Sequence, residues 1–458
     1  MEAMTVRELL EATGGRLLAG SPDQTFTAVE TDSRAIHAGA LFVALRGEQT
    51  DGHRYIAGAL ESGAAGCLVI DPPASVAPGR FCVQVPDTLI AIGDAARAYK
   101  AKFDIPVVGI TGSVGKTTTK DMIAVVLGKR FRVLKTEGNF NNELGLPLTL
   151  FRLTREDQIC VLEMGMNHFG EIDYLTRIVR PDVAVITNIG DAHIENLGSR
   201  ANILKAKSEI FNYMESGSLA VLNGDDPLLR SLEGSILPNI VFCGEDHQPP
   251  YEAKAMRQLG SKGMECTVKT PETEFSVTIP ALGSHMIYPV LMACAIGERF
   301  GMTGEEMKAG VESFVPTKMR MNVIRQGEVT ILDDAYNANP QSMRAALEVL
   351  SQTGGTYRAA VLGDMFELGA LGPDLHRCVG EYAGTVGNID ALLAVGELSK
   401  NIYEGASQSD LPNVFYARDK AEAMPLLPGL IRPGAVILVK ASRGMHFEEL
   451  VRELQRLS

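Results

Sequence analysis

Residues 109–120 read Gly109-Ile110-Thr111-Gly112-Ser113-Val114-Gly115-Lys116-Thr117-Thr118-Thr119-Lys120. An apolar stretch with Ile105, Val107 and Val108 precedes them, and an amphipathic run to about Leu127 follows. This order predicts a strand, a glycine-rich turn and a helix. Backbone N–H groups in such a turn, with a helix N-terminus behind them, cradle phosphate. Lys116 is placed to reach the β- and γ-phosphates, and the Thr117 hydroxyl to coordinate Mg²⁺. The spacing departs from strict G-x-x-x-x-G-K-[S/T]: Ile110 holds the first Gly position and Gly109 sits one residue earlier. Gly115-Lys116-Thr117 in this setting still points to a nucleoside triphosphate.

The rest of the chain bounds what is done with that phosphate. Its 458 residues suit about three domains. With 45% hydrophobic and 22% charged residues it is globular rather than disordered. A net charge of −13 argues against a general nucleic-acid or membrane-surface binder. Local cations and amides must then hold any anionic ligand. The seven cysteines are scattered and never spaced C-x-x-C, which reads as reduced core residues in a cytoplasmic protein. The first residues lack the basic and apolar segments of a signal peptide, and Thr5-x-x-Glu8 reads as a helix capping box. No apolar run approaches the roughly 18 residues of a membrane span.

Strand-like and helix-like stretches alternate almost throughout, which predicts an α/β class with largely parallel sheets. We place boundaries near Asp104 and Thr317, giving units 1–104, 105–317 and 318–458. The first carries short strands at Leu41–Leu45, Cys67–Ile70 and Phe81–Val85. The second ends in antiparallel strands (Met264–Lys269, Phe275–Ile279) and two helical stretches, about 285–300 and 303–314. The third repeats strand–helix units from Val329–Asp333, Ala359–Leu362, Ala391–Val395 and Val436–Val439.

Polar residues gather where strands end, and open α/β sheets bind ligands at those ends. Glu163 directly follows Ile159–Leu162, where a carboxylate partners a P-loop Thr around Mg²⁺. Ala184-Val185-Ile186 leads to Thr187-Asn188 and on to His193, a ring that alone reads more readily as structural than as a ligand. Ala220-Val221-Leu222 leads to Asn223-Gly224-Asp225-Asp226, which alone reads as a polar turn with a helix cap. Lys205 and Lys207 share a helical pattern. Residues two apart point to different faces, so at most one of them enters the site.

Taken together these motifs resemble the Mur ligases. The resemblance rests on Thr-Gly-Ser-x-Gly-Lys-Thr, Gly138-Asn139-Phe140-Asn141-Asn142-Glu143-x-Gly145-x-Pro147, Glu163-Met164-Gly165, Thr187-Asn188-Ile189, His193 and Ala206-Lys207-x-x-Ile210-Phe211. It extends to Thr31-Asp32-Ser33-Arg34, Phe42–Gly47 and Asp51-Gly52-His53 near the start. Near the end, Asp333–Met343 and Gly363–Gly369 are similar to the branch that joins D-alanyl-D-alanine to a UDP-N-acetylmuramoyl-tripeptide.

The resemblance implies a three-domain architecture: a UDP-sugar-binding domain, a central P-loop ATPase domain and a Rossmann-like C-terminal domain that binds the dipeptide and closes on ATP. Thr111, Gly112, Ser113, Val114, Gly115, Lys116, Thr117 and Thr118 would hold the phosphates. Thr117 and Glu163 would bind one Mg²⁺. His193 and Lys207 would serve a second, Lys207 as an N-carboxylated lysine, because a cationic amine cannot ligate a cation whereas its carbamate can. Asn223, Asp333, Tyr336 and Asn337 would contact the nucleotide, and Arg320 its phosphates. Ser33 and Arg34 would face the UDP diphosphate; Thr136, Asn139 and Asn142 would face the muramoyl peptide. Many relatives carry His-Asn-x-x-Asn where this chain has His285-Met286-Ile287-Tyr288-Pro289, so nucleotide contacts from those two positions are not expected here.

The implied reaction is ATP-dependent amide ligation through an acyl phosphate, with no enzyme nucleophile, in a monomer of the cytoplasm. A folylpolyglutamate synthetase would share the architecture but not the first-domain motifs or Tyr336–Met343. A GTPase switch would need Asn-Lys-x-Asp, and no Asn-Lys dipeptide occurs.

Overall fold

The structure, a computed structural model, describes residues 1–47, 50–235 and 239–458. Three large sheets of five, nine and six strands follow one another along the chain. The first has the order Arg16–Ala19, Phe81–Gln84, Gly66–Val69, Ala40–Val43, Ala28–Glu30. Its pairings are parallel except for the edge strand Arg16–Ala19. The expected capping box is present: the Thr5 side chain accepts from Glu8 N and the Glu8 carboxylate accepts from Thr5 N, starting the helix Val6–Thr13.

In the nine-stranded sheet the P-loop strand Val107–Thr111 lies between Ile159–Glu163 and Val183–Ile186, parallel to both. Val133–Lys135 closes one edge, while Leu219–Asn223 and Ile240–Gly244 extend the other. The chain crosses to opposite sides of Val107–Thr111 in successive connections, so a crevice opens at its carboxyl end. Strands buried on both faces need continuous apolar runs, which is why this stretch lacks alternation. Val108 and Ile110 pack toward the helices Lys116–Leu127 and Ile287–Arg299; Val107, Cys160 and Leu162 pack into the opposite core. The antiparallel strands Tyr251–Gln258, Met264–Lys269 and Glu274–Ile279 complete the sheet as expected for that segment.

The six-stranded sheet begins with the hairpin Asn322–Gln326/Val329–Asp333, turned at Gly327 with φ 55°. It continues in parallel through Ala435–Lys440, Tyr357–Gly363, Ala391–Val395 and Asn413–Ala417. Ala360 and Leu362 face one helical layer, and Ala359 and Val361 the other. The chain thus forms three successive α/β units, each built on its own large sheet. Among the described residues no helix is long and apolar enough to cross a membrane.

Candidate active site

The P-loop turn depends on two glycines. Gly115 has φ 83° at the residue before the helix Lys116–Leu127. Gly112 has φ 149°, and a Cβ there would come within 1.9 Å of Thr187 Oγ1. That close approach lets the next strand end grip the loop. Thr187 Oγ1 and Asn188 Nδ2 both donate to Val114 O, at 2.6 and 3.0 Å, and Val114 N donates to Asn188 Oδ1 at 2.9 Å. Ser113 Oγ accepts from Gly190 N at 2.9 Å. The loop amides are therefore held in place by protein before any ligand arrives. Lys116 Nζ donates to Gly112 O at 2.8 Å, folded back over the cradle. Burial pulls its pKa below the usual lysine range, Glu163 opposes that, and Arg320 adds to it. Thr111 is buried with its hydroxyl unpartnered among the described residues, behind the loop rather than on the cavity wall.

Glu163 ends its strand at 2% exposure. Its two oxygens accept from Thr117 Oγ1 and Asn141 Nδ2, each at 2.9 Å. Thr136, expected to face substrate, is fully buried, and its hydroxyl accepts from Glu163 N at 3.0 Å. Its observed contact supports the carboxylate from behind. Asn139 and Asn142 do reach the cavity, where Asn142 Oδ1 also accepts from Gly145 N. An ionised carboxylate beside a hydroxyl at a phosphate cradle is a hard-oxygen set suited to Mg²⁺. Among the described residues no cluster of three or more His, Cys, Asp or Glu side chains is placed to hold a metal, so an ion here would need further oxygen ligands.

His193 lies on the cavity wall at φ 64°, with Nδ1 2.6 Å from Glu367 Oε2. Lys207 is 1% exposed in the helix Arg200–Ser208, while Lys205 is exposed and lies over the Phe169 ring. Burial pushes the Lys207 amine well below its ordinary value, and the Lys116 charge adds to that. No carboxylate among the described residues pairs with it, so its neutral form is favoured. It lies outside the cavity wall.

The third domain supplies the opposite wall of one continuous cavity of about 760 Å³. Arg320 Nη2 reaches Thr117 Oγ1 at 3.2 Å, and its guanidinium lies 3.9 Å from the Tyr336 ring centroid. Tyr336 and Asn337 face the cavity; Asp333 does not, and its carboxylate accepts from Ala335 N within its own turn. The neighbouring Asp334 lies on the wall, paired with Lys440 Nζ at 2.5 Å. Asn223 is on the wall, its Oδ1 accepting from Asp225 N, and Asp226 caps Pro227–Arg230, as the polar-turn reading expects. At Met286 and Pro289 the chain is buried and apolar, and Tyr288 instead donates to Asp225 Oδ2 at 3.0 Å. His285 lines the cavity and is exposed to it. Ser33 and Arg34 lie on the first domain, outside this cavity; Arg34 is exposed and forked against Asp32 at 2.7 Å.

Sequence reasoning gave no role to Asn141, Asp334, Lys440 or Glu367. Asn141 sat unassigned between two named asparagines. Lys440 carried a signal, a charge closing the buried run Ala435–Lys440.

Three Mur ligase family descriptions match successive parts of the chain: the catalytic domain at 25–101, the middle domain at 110–297 and the glutamate ligase domain at 319–443. The chain belongs to the Mur ligase family. It is 38% identical to the UDP-N-acetylmuramoyl-tripeptide–D-alanyl-D-alanine ligase of Bacillus subtilis (strain 168), covering 98% of each protein. A MurF crystal structure from Acinetobacter baumannii superposes with a TM-score of 0.93 at 32% identity, covering 100% of this chain and 99% of that one. The MurF ligase of Thermotoga maritima in complex with ADP matches with a TM-score of 0.84 at 28% identity, covering 94% and 97%.

Proposed function

We propose that this chain is an ATP-dependent amide ligase that joins D-alanyl-D-alanine to UDP-N-acetylmuramoyl-tripeptide. The observation that carries the reading is Arg320 of the third domain touching Thr117 in the P-loop of the second, with Lys116 and Glu163 alongside. The full-length likeness to ligases of that name supports the substrate pair, and the ADP complex of a relative supports ATP. The three domains fall at 1–104, 105–317 and 318–458. They supply in turn the UDP-sugar site (with Ser33 and Arg34), the ATPase site and the dipeptide site.

The chemistry follows from the groups present. The tripeptide carboxylate attacks the γ-phosphorus of ATP, and ADP leaves. Lys116 and the loop amides offset the charge that develops on the transferring phosphoryl group. Thr117 and Glu163 would hold one Mg²⁺, and His193 with a carboxylated Lys207 would hold a second; such ions would supply further charge neutralisation. For Lys207 this requires R–NH₂ + CO₂ → R–NH–COO⁻ + H⁺, a reaction open only to the neutral amine that its burial favours. The dipeptide amine then attacks the acyl carbon, and phosphate departs with the oxygen that came from the carboxylate. Water hydrolyses such an intermediate, so the third domain must close over it. The substrates suit a cytoplasmic enzyme acting as a monomer.

The test is ADP release by the purified chain with UDP-muramoyl-tripeptides ending in L-lysine or meso-diaminopimelate, with and without D-alanyl-D-alanine. Turnover that needs both substrates supports the reading. Fast ATP hydrolysis with neither favours a regulatory ATPase.

A further inference from the structure

Glu367 is delivered from another domain to His193 on the cavity wall, its side chain half exposed, and its backbone is shaped for that contact. It has φ 63°, a left-handed conformation uncommon outside glycine, and the His193 it meets has φ 64°. The loop carrying it leaves the strand Tyr357–Gly363 and is braced at successive amides. Met365 N donates to His376 Nε2 and Phe366 N to Ser442 Oγ, each at 2.9 Å, while Ser442 N donates to Asp364 O at 3.0 Å. His376 is itself fully buried and fixed by Gly372 O at 2.7 Å. At the far side Glu195 N reaches Glu367 O at 3.4 Å. A Cβ at Gly369, which has φ 53°, would stand 3.1 Å from Glu195 Cγ. Two domains therefore meet closely at this one loop.

The carboxylate lies 2.6 Å from His193 Nδ1. The contact is short but poorly aligned as a hydrogen bond, and Nδ1 has no other partner among the described residues. A histidine that ligates a metal through one nitrogen commonly gives its other N–H to a carboxylate, which fixes the tautomer and the ring direction.

We propose that Glu367 is a positioning residue: the C-terminal domain brings it to His193, so that the ring is set to hold a divalent cation only when the two domains are together. The inference deepens the ligase reading and rests on it. Closure and metal affinity are then linked, and linkage is reciprocal: the metal that binds better to the closed form also favours closure. The acyl phosphate would not form in an open, wet site, because one of its two metal positions is incomplete there.

The experiment is Mn²⁺ binding by electron paramagnetic resonance, with a non-hydrolysable ATP analogue and UDP-muramoyl-tripeptide present, on the full chain and on Glu367→Gln and Glu367→Ala. Both variants should weaken one of two Mn²⁺ positions by about 10–100-fold and leave the other unchanged. The lost kcat should return as metal is raised, with KM for D-alanyl-D-alanine changed less than about two-fold. Unchanged Mn²⁺ binding in both variants overturns the proposal. So does a rise in dipeptide KM alone, which would mean that Glu367 touches the dipeptide, and so does a collapse of thermal stability in both, which would make the contact structural. The Mn²⁺ readout needs no turnover. Failure of the ligase reading would appear separately, as wild-type protein that forms no amide.

Discussion

Arg320 Nη2 donates to Thr117 Oγ1 at 3.2 Å across the boundary between the second and third domains. The same hydroxyl donates to Glu163 Oε2 at 2.9 Å. One oxygen thus joins the P-loop, the carboxylate that ends the neighbouring strand, and a cation from the third domain. On the proposed reading, a nucleotide entering this cavity would meet all three at its phosphate end.

Arg320 is held over the Tyr336 ring at 3.9 Å, a cation–π contact worth about 1 kcal/mol in a half-buried setting. Tyr336→Ala should therefore lower kcat/KM for ATP about five-fold through the arginine. Arg320→Ala should cost more. Adding Tyr336→Ala to Arg320→Ala should cost little further. Steady-state kinetics of the four proteins check this, and full additivity would show that the ring acts independently of the guanidinium.

Lys116→Ala should abolish ligation and leave affinity for the UDP substrate largely intact, since Ser33 and Arg34 lie on a separate domain outside the cavity. Removing a charge set against the transferring phosphoryl raises the barrier by about 3 kcal/mol or more. Calorimetric titration of the UDP substrate with the variant is the check. An equal loss of that affinity would show that the two sites are not separate.

Lys207→Ala should lose nearly all activity, and a small carboxylate at high concentration should restore part of it by taking the carbamate's place. Lys207→Arg should remain inactive, because it cannot be carboxylated in this way. Lys205→Ala, at an exposed position, should match wild type. Full activity in Lys207→Arg would end the carbamate proposal.

Asp121 ties the P-loop helix to the interdomain segment: Thr317 Oγ1 and Lys135 Nζ donate to it at 2.5 and 2.6 Å, with Lys120 Nζ at 3.4 Å. Burial alone would raise its pKa, but Lys120, Lys135 and Thr317 outweigh that and hold it below the usual carboxylate value. A carboxylate depressed in the folded state stabilises above its unfolded pKa near 4, and the stabilisation fades as pH falls through the folded value. Asp121→Asn should lower stability by about 2 kcal/mol at pH 7, with the gap from wild type closing below about pH 4. Thermal melts at pH 7 and at pH 3.5 measure both values.

The P-loop and the carboxylate beside it were legible in sequence because each is local. Gly115-Lys116-Thr117 opens a helix, and Glu163 closes a run that only a buried parallel strand would tolerate. Strand existence was equally legible, with Val329–Asp333 and Ala391–Val395 falling where expected. The long-range pairings were not. Nothing near Glu367 indicates that it meets His193 from 174 positions away, and nothing near Asp121 indicates that Thr317 returns to it. Thr136 was expected to face substrate because the family resemblance places the muramoyl peptide there; only the sheet register shows it behind Glu163. Asp333 and Asp334 are adjacent acids, and which one enters the cavity depends on Lys440, which lies on the neighbouring strand.

On the proposed mechanism the tripeptide carboxylate becomes an acyl phosphate before the amide forms. Labelling that carboxylate with ¹⁸O and following the released phosphate by mass spectrometry tests it directly. One ¹⁸O should appear in the phosphate for each amide formed, with the other retained in the new peptide bond. Amide formation with unlabelled phosphate, or with AMP in place of ADP, would contradict it.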